Sequence, residues 1–263
     1  MKKIIMLLGI LLISSIAFAN DNQFQTTTSA FRFAISGLNG SIGNAFESVV
    51  PQGGSVSTVI ATTTMQISSS SANDTAAGTG VRTVSISALN GSYQIFTETV
   101  TMAGTGGVNM VTDAIAINSI EPLTVGTGLT AAGDIYAGRD PDGVTGTPTT
   151  IYGLMQVGTD KMQTSLQTAP DAGGAYIQGI RIDLSDTGRV ADVRLRKRNT
   201  AGLWMVILEW IESSDSNIQS DDIQEILPVY LPAQNAFDLQ VRVRTGAATT
   251  VTSFMTGVFN AFN

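Results

Sequence analysis

From Phe237 to Arg244 the chain alternates apolar and polar residues without a break. Phe237, Leu239, Val241 and Val243 are set against Asp238, Gln240, Arg242 and Arg244. Successive side chains of a strand point to opposite faces. The run therefore predicts a strand with one face on a core and the other toward water or a partner. No long run repeats at 3.6 residues, and from Asn20 onward short β runs are broken by Gly, Asn, Asp and Thr. The expectation is an all-β protein of one or two antiparallel β-sandwiches, jelly-roll or immunoglobulin-like.

Thr83 to Ser87 alternates, Asn90-Gly91 follows, and a second run extends from Tyr93 to Thr101. Asn-Gly between alternating runs predicts a hairpin, because both residues tolerate positive φ. Asn39-Gly40 is a second candidate turn. Val193 to Arg198, the loop Asn199-Thr200-Ala201-Gly202 and Leu203 to Trp210 read as another hairpin. Its first strand sets Arg194, Arg196 and Arg198 on one face and Val193 and Leu195 on the other. Its second strand is apolar on both faces, as expected of a central strand or one covered by a neighbour. The C-terminal segment Thr249 to Phe262 is the candidate cover, within the chain or exchanged with a second copy. Pro228 and Pro232 bracket Val229 to Leu231, which predicts an edge or a connection. Ser214 to Ile226 is the one candidate for a short helical turn. The Gly- and Pro-rich stretch Gly138 to Pro148 divides an N-terminal β domain, 20–148, from a C-terminal β-sandwich, 149–263.

The first nineteen residues have the form of an export leader. Lys2 and Lys3 precede an apolar run from Ile4 to Phe18, and Ala17-Phe18-Ala19 fits the small-x-small rule with the cut before Asn20. No later stretch is apolar and long enough to span a bilayer. The chain is therefore expected outside the cytoplasm, extracellular or on a virion surface.

Charged residues make up 13% of the chain, about half the usual share. There is no His and no Cys, which excludes Ser-His-Asp and Cys-His nucleophilic sites, His or Cys zinc sites and disulfides. The net charge of −7 argues against a general affinity for nucleic acid. No catalytic residue and no cofactor is assigned, and a metal site is left open. Asp140 and Asp142, or Asp215, Asp221, Asp222 and Glu225, are candidates for calcium, but neither group has the spacing of a twelve-residue calcium loop. They read more simply as solvated acidic loops. Arg194, Arg196, Lys197 and Arg198 read as a strand face paired with Asp183, Asp186 or Asp192, or with a neighbouring subunit, rather than as a phosphate site. Gly104 to Gly107 and Gly126 to Gly128 are turns, with no Gly-Lys-Ser/Thr after them. Trp204, Met205, Trp210 and Phe259 read as core or subunit contact, with a carbohydrate site as the alternative.

Ser69 to Thr101 reads SSSANDTAAGTGVRTVSISALNGSYQIFTETVT. With Val108 to Thr112, Ile115 to Asn118, Gly133 to Gly138 and the closing Ile226 to Arg244, it resembles structural proteins predicted from marine tailed-phage genomes. The resemblance covers roughly Ser68 to Phe262 and rests on turn and strand motifs. It implies a virion surface role: a capsid decoration, head-fibre or related accessory subunit built of β-sandwiches. The Sec-type leader is a departure from that family. The function read from the sequence is thus a non-enzymatic, homo-oligomeric subunit among other virion or surface structural proteins. Its rivals are a secreted adhesin or carbohydrate-binding module that holds a glycan and, more remotely, an exported glycan hydrolase.

Overall fold

A computed structural model describes residues 31–51, 56–58, 61–171, 173–214 and 229–259. The leader, the candidate helical turn beyond Ser214 and the acidic group Asp215, Asp221, Asp222 and Glu225 lie outside the described residues. The chain is all-β. In chain order the strands are β1 (Phe31–Ile42), β2 (Glu47–Ser48), β3 (Gln66–Ser69), β4 (Val81–Leu89), β5 (Ile95–Thr101), β6 (Val108–Asn109), β7 (Ala116–Val125) and β8 (Ile135–Pro141). There follow β9 (Pro148–Met155), β10 (Gln167–Thr168), β11 (Ala175–Leu184), β12 (Val190–Arg198), β13 (Trp204–Ser213), β14 (Val229–Leu231), β15 (Ala236–Val243) and β16 (Thr249–Phe259). All the ladders are antiparallel.

Two cores organise these strands. One lies between the sheets β6-β3-β8-β9 and β5-β4-β7 and is filled by Met65, Ile67, Val84, Ile86, Ile120 and Met155. The other lies between β1-β16-β11-β14 and β10-β15-β12-β13, with β2 also on β15, around Ile177, Val193, Leu195, Phe237, Leu239 and Val251. The chain begins in the second core, crosses to the first and returns. Ile42 and Val49, near the N-terminus, are buried in the core of the C-terminal strands. The stretch Gly138 to Pro148, expected as a domain boundary, holds the β8–β9 hairpin, closed by the pair Pro141 and Pro148. Which strands pair is a long-range matter, and composition along the chain does not report it.

Local expectations fare unevenly. Asn90-Gly91 does make the β4–β5 hairpin, with Leu89 opposite Ile95. The turn is longer than two residues, and the residue with positive φ is Tyr93, at 57°. Asn90 builds it: its side-chain oxygen accepts from Ser92 N at 2.9 Å and Gln94 N at 3.0 Å. Asn39-Gly40 is not a hairpin turn. It lies inside β1, where the register against β16 shifts between Asn39 and Ile42 as in a β-bulge. The buried Asn39 side chain is spent on Ser48 O and Ser41 N. β14 is the terminal strand of its sheet, as its bracketing prolines suggest.

β16 does not cover β13. It runs between β1 and β11 in the opposite sheet. Val251, Met255 and Phe259 face the core, and the Phe259 ring stacks 4.5 Å from Phe33.

The first core is tied by a buried carboxylate. Asp74 is fully buried and takes four donors. Its Oδ1 accepts from Val81 N at 2.7 Å and Ala132 N at 3.0 Å, and its Oδ2 from Ser69 Oγ at 2.6 Å and Gly133 N at 3.0 Å. Three separate segments are thereby pinned to one side chain. The fit leaves no room at Gly80, where a Cβ would stand 2.0 Å from Asp74 Oδ1. Replacing Asp74 with Ala strands three buried or half-buried backbone donors. Urea unfolding should then show a loss of about 3 kcal/mol or more. The exposed Asp113→Ala should stay within about 0.5 kcal/mol of the parent.

Candidate functional site

The features with most chemical content lie on the β15-β12-β13 sheet, on the face away from its core. β12 turns Val193 and Leu195 inward, both fully buried, and Arg194, Arg196 and Arg198 outward, as its alternation predicts. The register sets Asp192 opposite Arg242, Arg194 opposite Gln240 and Arg196 opposite Asp238. Each pair is made. Arg196 donates to Asp238 Oδ2 from Nε at 3.0 Å and Nη2 at 2.8 Å. Arg194 donates twice to Gln240 Oε1, at 2.9 and 2.6 Å. Asp192 holds Arg242 at 2.8 Å and Arg244 at 2.5 Å.

Aromatic rings close the face. Phe46 lies 3.8 Å from the Arg194 guanidinium and 4.5 Å from that of Arg242, and Trp204 lies 4.0 Å from that of Arg196. The partners expected from sequence are corrected in part. Asp183 pairs with Arg181 and Asp186 with Arg189, while only Asp192 joins this face. The arginines of β12 are engaged within the chain, which leaves the phosphate reading without a basis.

The expectation that Asp238 and Gln240 face water or a partner is also overturned. Asp238 is fully buried and Gln240 nearly so, beneath β2 and the segment at Ser165. Ser48 Oγ donates to Asp238 at 2.6 Å and Ser165 Oγ at 3.1 Å. Burial pushes the Asp238 carboxyl up, and Arg196 and the two hydroxyls oppose that shift. Alternation could not reveal this, because it reports which face a residue takes and not what covers the face.

β13 is the second feature. It was expected to be central or covered, yet among the described residues it pairs with β12 alone and ends its sheet. Leu203, Met205, Val206 and Ile211 are 65%, 44%, 47% and 55% exposed. Leu208 and Trp210 turn partly into the core, and Trp204 is half-buried against Arg196. Val206, on a strand expected to be covered on both faces, is therefore on the surface. The register of β13 with β12 shifts at Ile207, and among the described residues no strand pairs with its other side; an apolar edge of this kind adheres to a further strand unless it is blocked.

The calcium candidates differ in their surroundings. The Asp142 carboxylate organises its own loop: Oδ1 accepts from Val144 N, Thr145 N and Gly146 N, and Oδ2 from Thr145 Oγ1. The Thr145 hydroxyl, then the backbone donors, hold its carboxyl below the usual range. Asp140 is exposed with φ of 53°. Among the described residues no three acidic side chains converge as a metal site would need. The Gly104 loop is a turn, with Gly104 N bonded to Asp74 O.

No protein-family model matches the sequence, and no curated protein matches it. Two solved structures align over most of the chain. The structure of the infectious bursal disease virus Gt strain is 11% identical, covers 89% of this chain and 71% of that one, and has a TM-score of 0.22. The VP2 subviral particle of infectious bursal disease virus is 13% identical, covers 90% and 71%, and has a TM-score of 0.24. Agreement at that level does not establish a shared topology. No helix among the described residues is long and apolar enough to cross a membrane.

Asp238→Ala leaves the Arg196 guanidinium facing two hydroxyls and no carboxylate. Chemical denaturation should register a loss of about 3–5 kcal/mol. Arg242→Ser should lose less than about 1 kcal/mol, since Arg244 still holds Asp192.

Stability should also depend on pH through Asp192. Arg244, then Arg242, lowers its carboxyl from the ordinary 3.8. The folded chain then binds fewer protons than the unfolded one near that pH. The contribution is complete above 3.8 and is lost as pH falls through the lowered folded value. The gap in stability between the parent and Asp192→Asn should be widest near neutrality and close in acid. A gap that stays constant down to the acid limit would show that Asp192 does not carry the dependence.

Proposed function

We propose that this protein is a non-enzymatic structural subunit of a virion surface or an extracellular surface structure. In this reading the leader is removed after Ala19, and the exported chain assembles with copies of itself and with other structural proteins. The observation that carries the proposal is β13. Its length, its single neighbour among the described residues and its exposed Met205, Val206 and Ile211 make an edge suited to accept another strand. Glu209 and Glu212 are the only charges on the strand, it has no Pro, and its one irregularity is at Ile207; monomeric sheet proteins commonly block such an edge with several charges, Pro or bulges. The resemblance of Ser69 to Thr101 to phage structural proteins points the same way. The subunit in this reading has two β units, one around each core, with β1 and β2 completing the C-terminal one. The rival, a secreted adhesin or carbohydrate-binding module, draws on a different feature: the cleft beside Tyr93 and Arg198.

Light scattering on the chain from Asn20 should give a mass above one subunit that rises through the micromolar range. Placing charge on the edge by Val206→Lys with Ile211→Lys should weaken association at least about ten-fold and leave the melting temperature nearly unchanged, because both residues are exposed. A strict monomer at high micromolar concentration would overturn the assembly reading.

A further inference from the structure

The β8–β9 hairpin carries the one Asp-Pro dipeptide in the sequence, Asp140-Pro141. Its backbone is unusual. The described non-glycine residues with positive φ are Tyr93, Leu129, Asp140 and Gln234. Asp140, at 53°, is the one of these four that precedes a proline. Asp by itself tolerates the left-handed region better than most residues. Before proline that tolerance shrinks, because the proline Cδ crowds the preceding N–H and Cβ and favours an extended backbone.

Contacts on both sides hold the bond in this state. The Asp140 N–H donates to Gln66 Oε1 at 3.0 Å, and Gln66 is anchored in turn by Nε2 on Asn109 Oδ1 at 3.0 Å. The carbonyl before it, Arg139 O, accepts from Thr149 Oγ1 at 3.1 Å. On the far side Pro141 is paired with Pro148. Its ring packs so close to Gly107 that a Cβ there would stand 2.5 Å from Pro141 Cγ. Asp142 N donates to Thr147 O at 3.3 Å. Neither end can turn to relieve residue 140 without breaking these contacts. Strain that the surroundings over-determine is a mark of functional positions.

The reacting groups are in place. Asp140 is exposed, and among the described residues its carboxylate has no hydrogen bond or ion pair. The Asp142 carboxylate, by contrast, is engaged by donors of its own loop. The free Asp140 carboxyl is joined through Cβ and Cα to the carbonyl carbon of its own residue. Attack on that carbon closes a five-membered ring, and an intramolecular nucleophile so placed has a high effective concentration. The leaving nitrogen belongs to proline and has no N–H. Such a tertiary amide nitrogen takes a proton more readily than an ordinary peptide nitrogen and leaves more readily.

We propose that the chain cuts itself between Asp140 and Pro141. The Asp140 carboxyl oxygen bonds to the Asp140 carbonyl carbon, and the C–N bond to Pro141 breaks. The electron pair of that bond stays on the Pro141 nitrogen, which takes up the carboxyl proton. Water opens the cyclic anhydride, leaving Asp140 with two carboxyl groups at a new C-terminus and Pro141 with a free amine at a new N-terminus. The crowding between residue 140 and the proline ring falls as the C–N bond lengthens, so its relief lowers the barrier to this cut. The two pieces stay together. β8 remains paired with β3 and β9, and β1 and β2, which precede the cut, complete the core of strands that follow it. The cut is a covalent maturation step that leaves the folded subunit intact. It uses nothing of β13, so its failure would leave the assembly reading standing.

Mass spectrometry of the chain from Asn20, held in mild acid with its fold followed by tryptophan fluorescence, tests this. Two pieces should appear, 20–140 and 141–263, with masses that add up to the parent plus one water. The cut should be at least about ten-fold faster in the folded chain than in the same buffer with unfolding urea. An Asp-Pro bond with only the lability common to all such bonds would be cut at least as fast in urea. Asp140→Asn keeps the tolerance for positive φ and removes the carboxyl. It should melt as the parent does and stay whole. In native buffer the cut chain should scatter light as the intact chain does. Cutting no faster when folded, cutting that persists in Asp140→Asn, or pieces that part without denaturant would overturn the proposal.

Discussion

Asp238 is an ionisable group with no access to water, and the C-terminal half of the molecule is arranged around that constraint. A buried carboxylate persists in a fold only when its oxygens are engaged. Here Arg196 comes from β12, Ser48 from β2 and Ser165 from the segment that leads into β10. Supplying those donors brings β2 onto the free side of β15 and sets Phe46 over the neighbouring arginines. Asp74 does the same for the other core, with backbone N–H groups in place of a guanidinium. Each β unit thus has an apolar interior for cohesion and a fully buried acid, Asp74 or Asp238, that fixes which loops meet.

The same arrangement accounts for what is left open. Arg194 and Arg196 of β12 are bonded to Gln240 and Asp238 of β15 and covered by Phe46 and Trp204, so they are not offered to a partner. Among the described residues β13 has β12 on one side only, and its apolar residues divide between the core and the surface. The sheet is consequently saturated on its polar strands and unsaturated on its apolar edge. An assembly joined there would extend the sheet without disturbing the ion pairs two strands away. The cleft lies at the turn of the β12–β13 hairpin, where Arg198 and the loop through Gly202 face the first unit. Edge and cleft share a hairpin but use different residues of it.

Strand positions and their facing were legible in the sequence. Val193 and Leu195 point inward, the arginines of β12 point outward, and the inward face of Phe237 to Val243 is buried as its alternation requires. Asn90-Gly91 marked a real hairpin, although the left-handed residue is Tyr93. Partnership was not legible. Asn39-Gly40 has the composition of a turn but lies in a strand long enough to pass through it, because β16 continues the ladder on both sides of the bulge. β13 has the composition of a central strand and ends a sheet, because the segment that might have covered it pairs with β1 and β11 instead.

What the sequence determined by itself was the class of fold, since period-two alternation is a local property of a strand and follows from bond geometry. It also determined what the chain lacks for chemistry: without His or Cys, whole families of mechanism are absent however the strands are arranged. The tertiary structure alone decided that Asp238 is buried while Arg242 remains half-exposed, that the N-terminal strands complete the C-terminal core, and that Tyr93 and Arg198 share a cleft. Each of these depends on contacts between residues far apart in the chain. Such contacts are set by which surfaces bury the most apolar area and satisfy the most buried polar groups together. No window of sequence contains both sides of that balance.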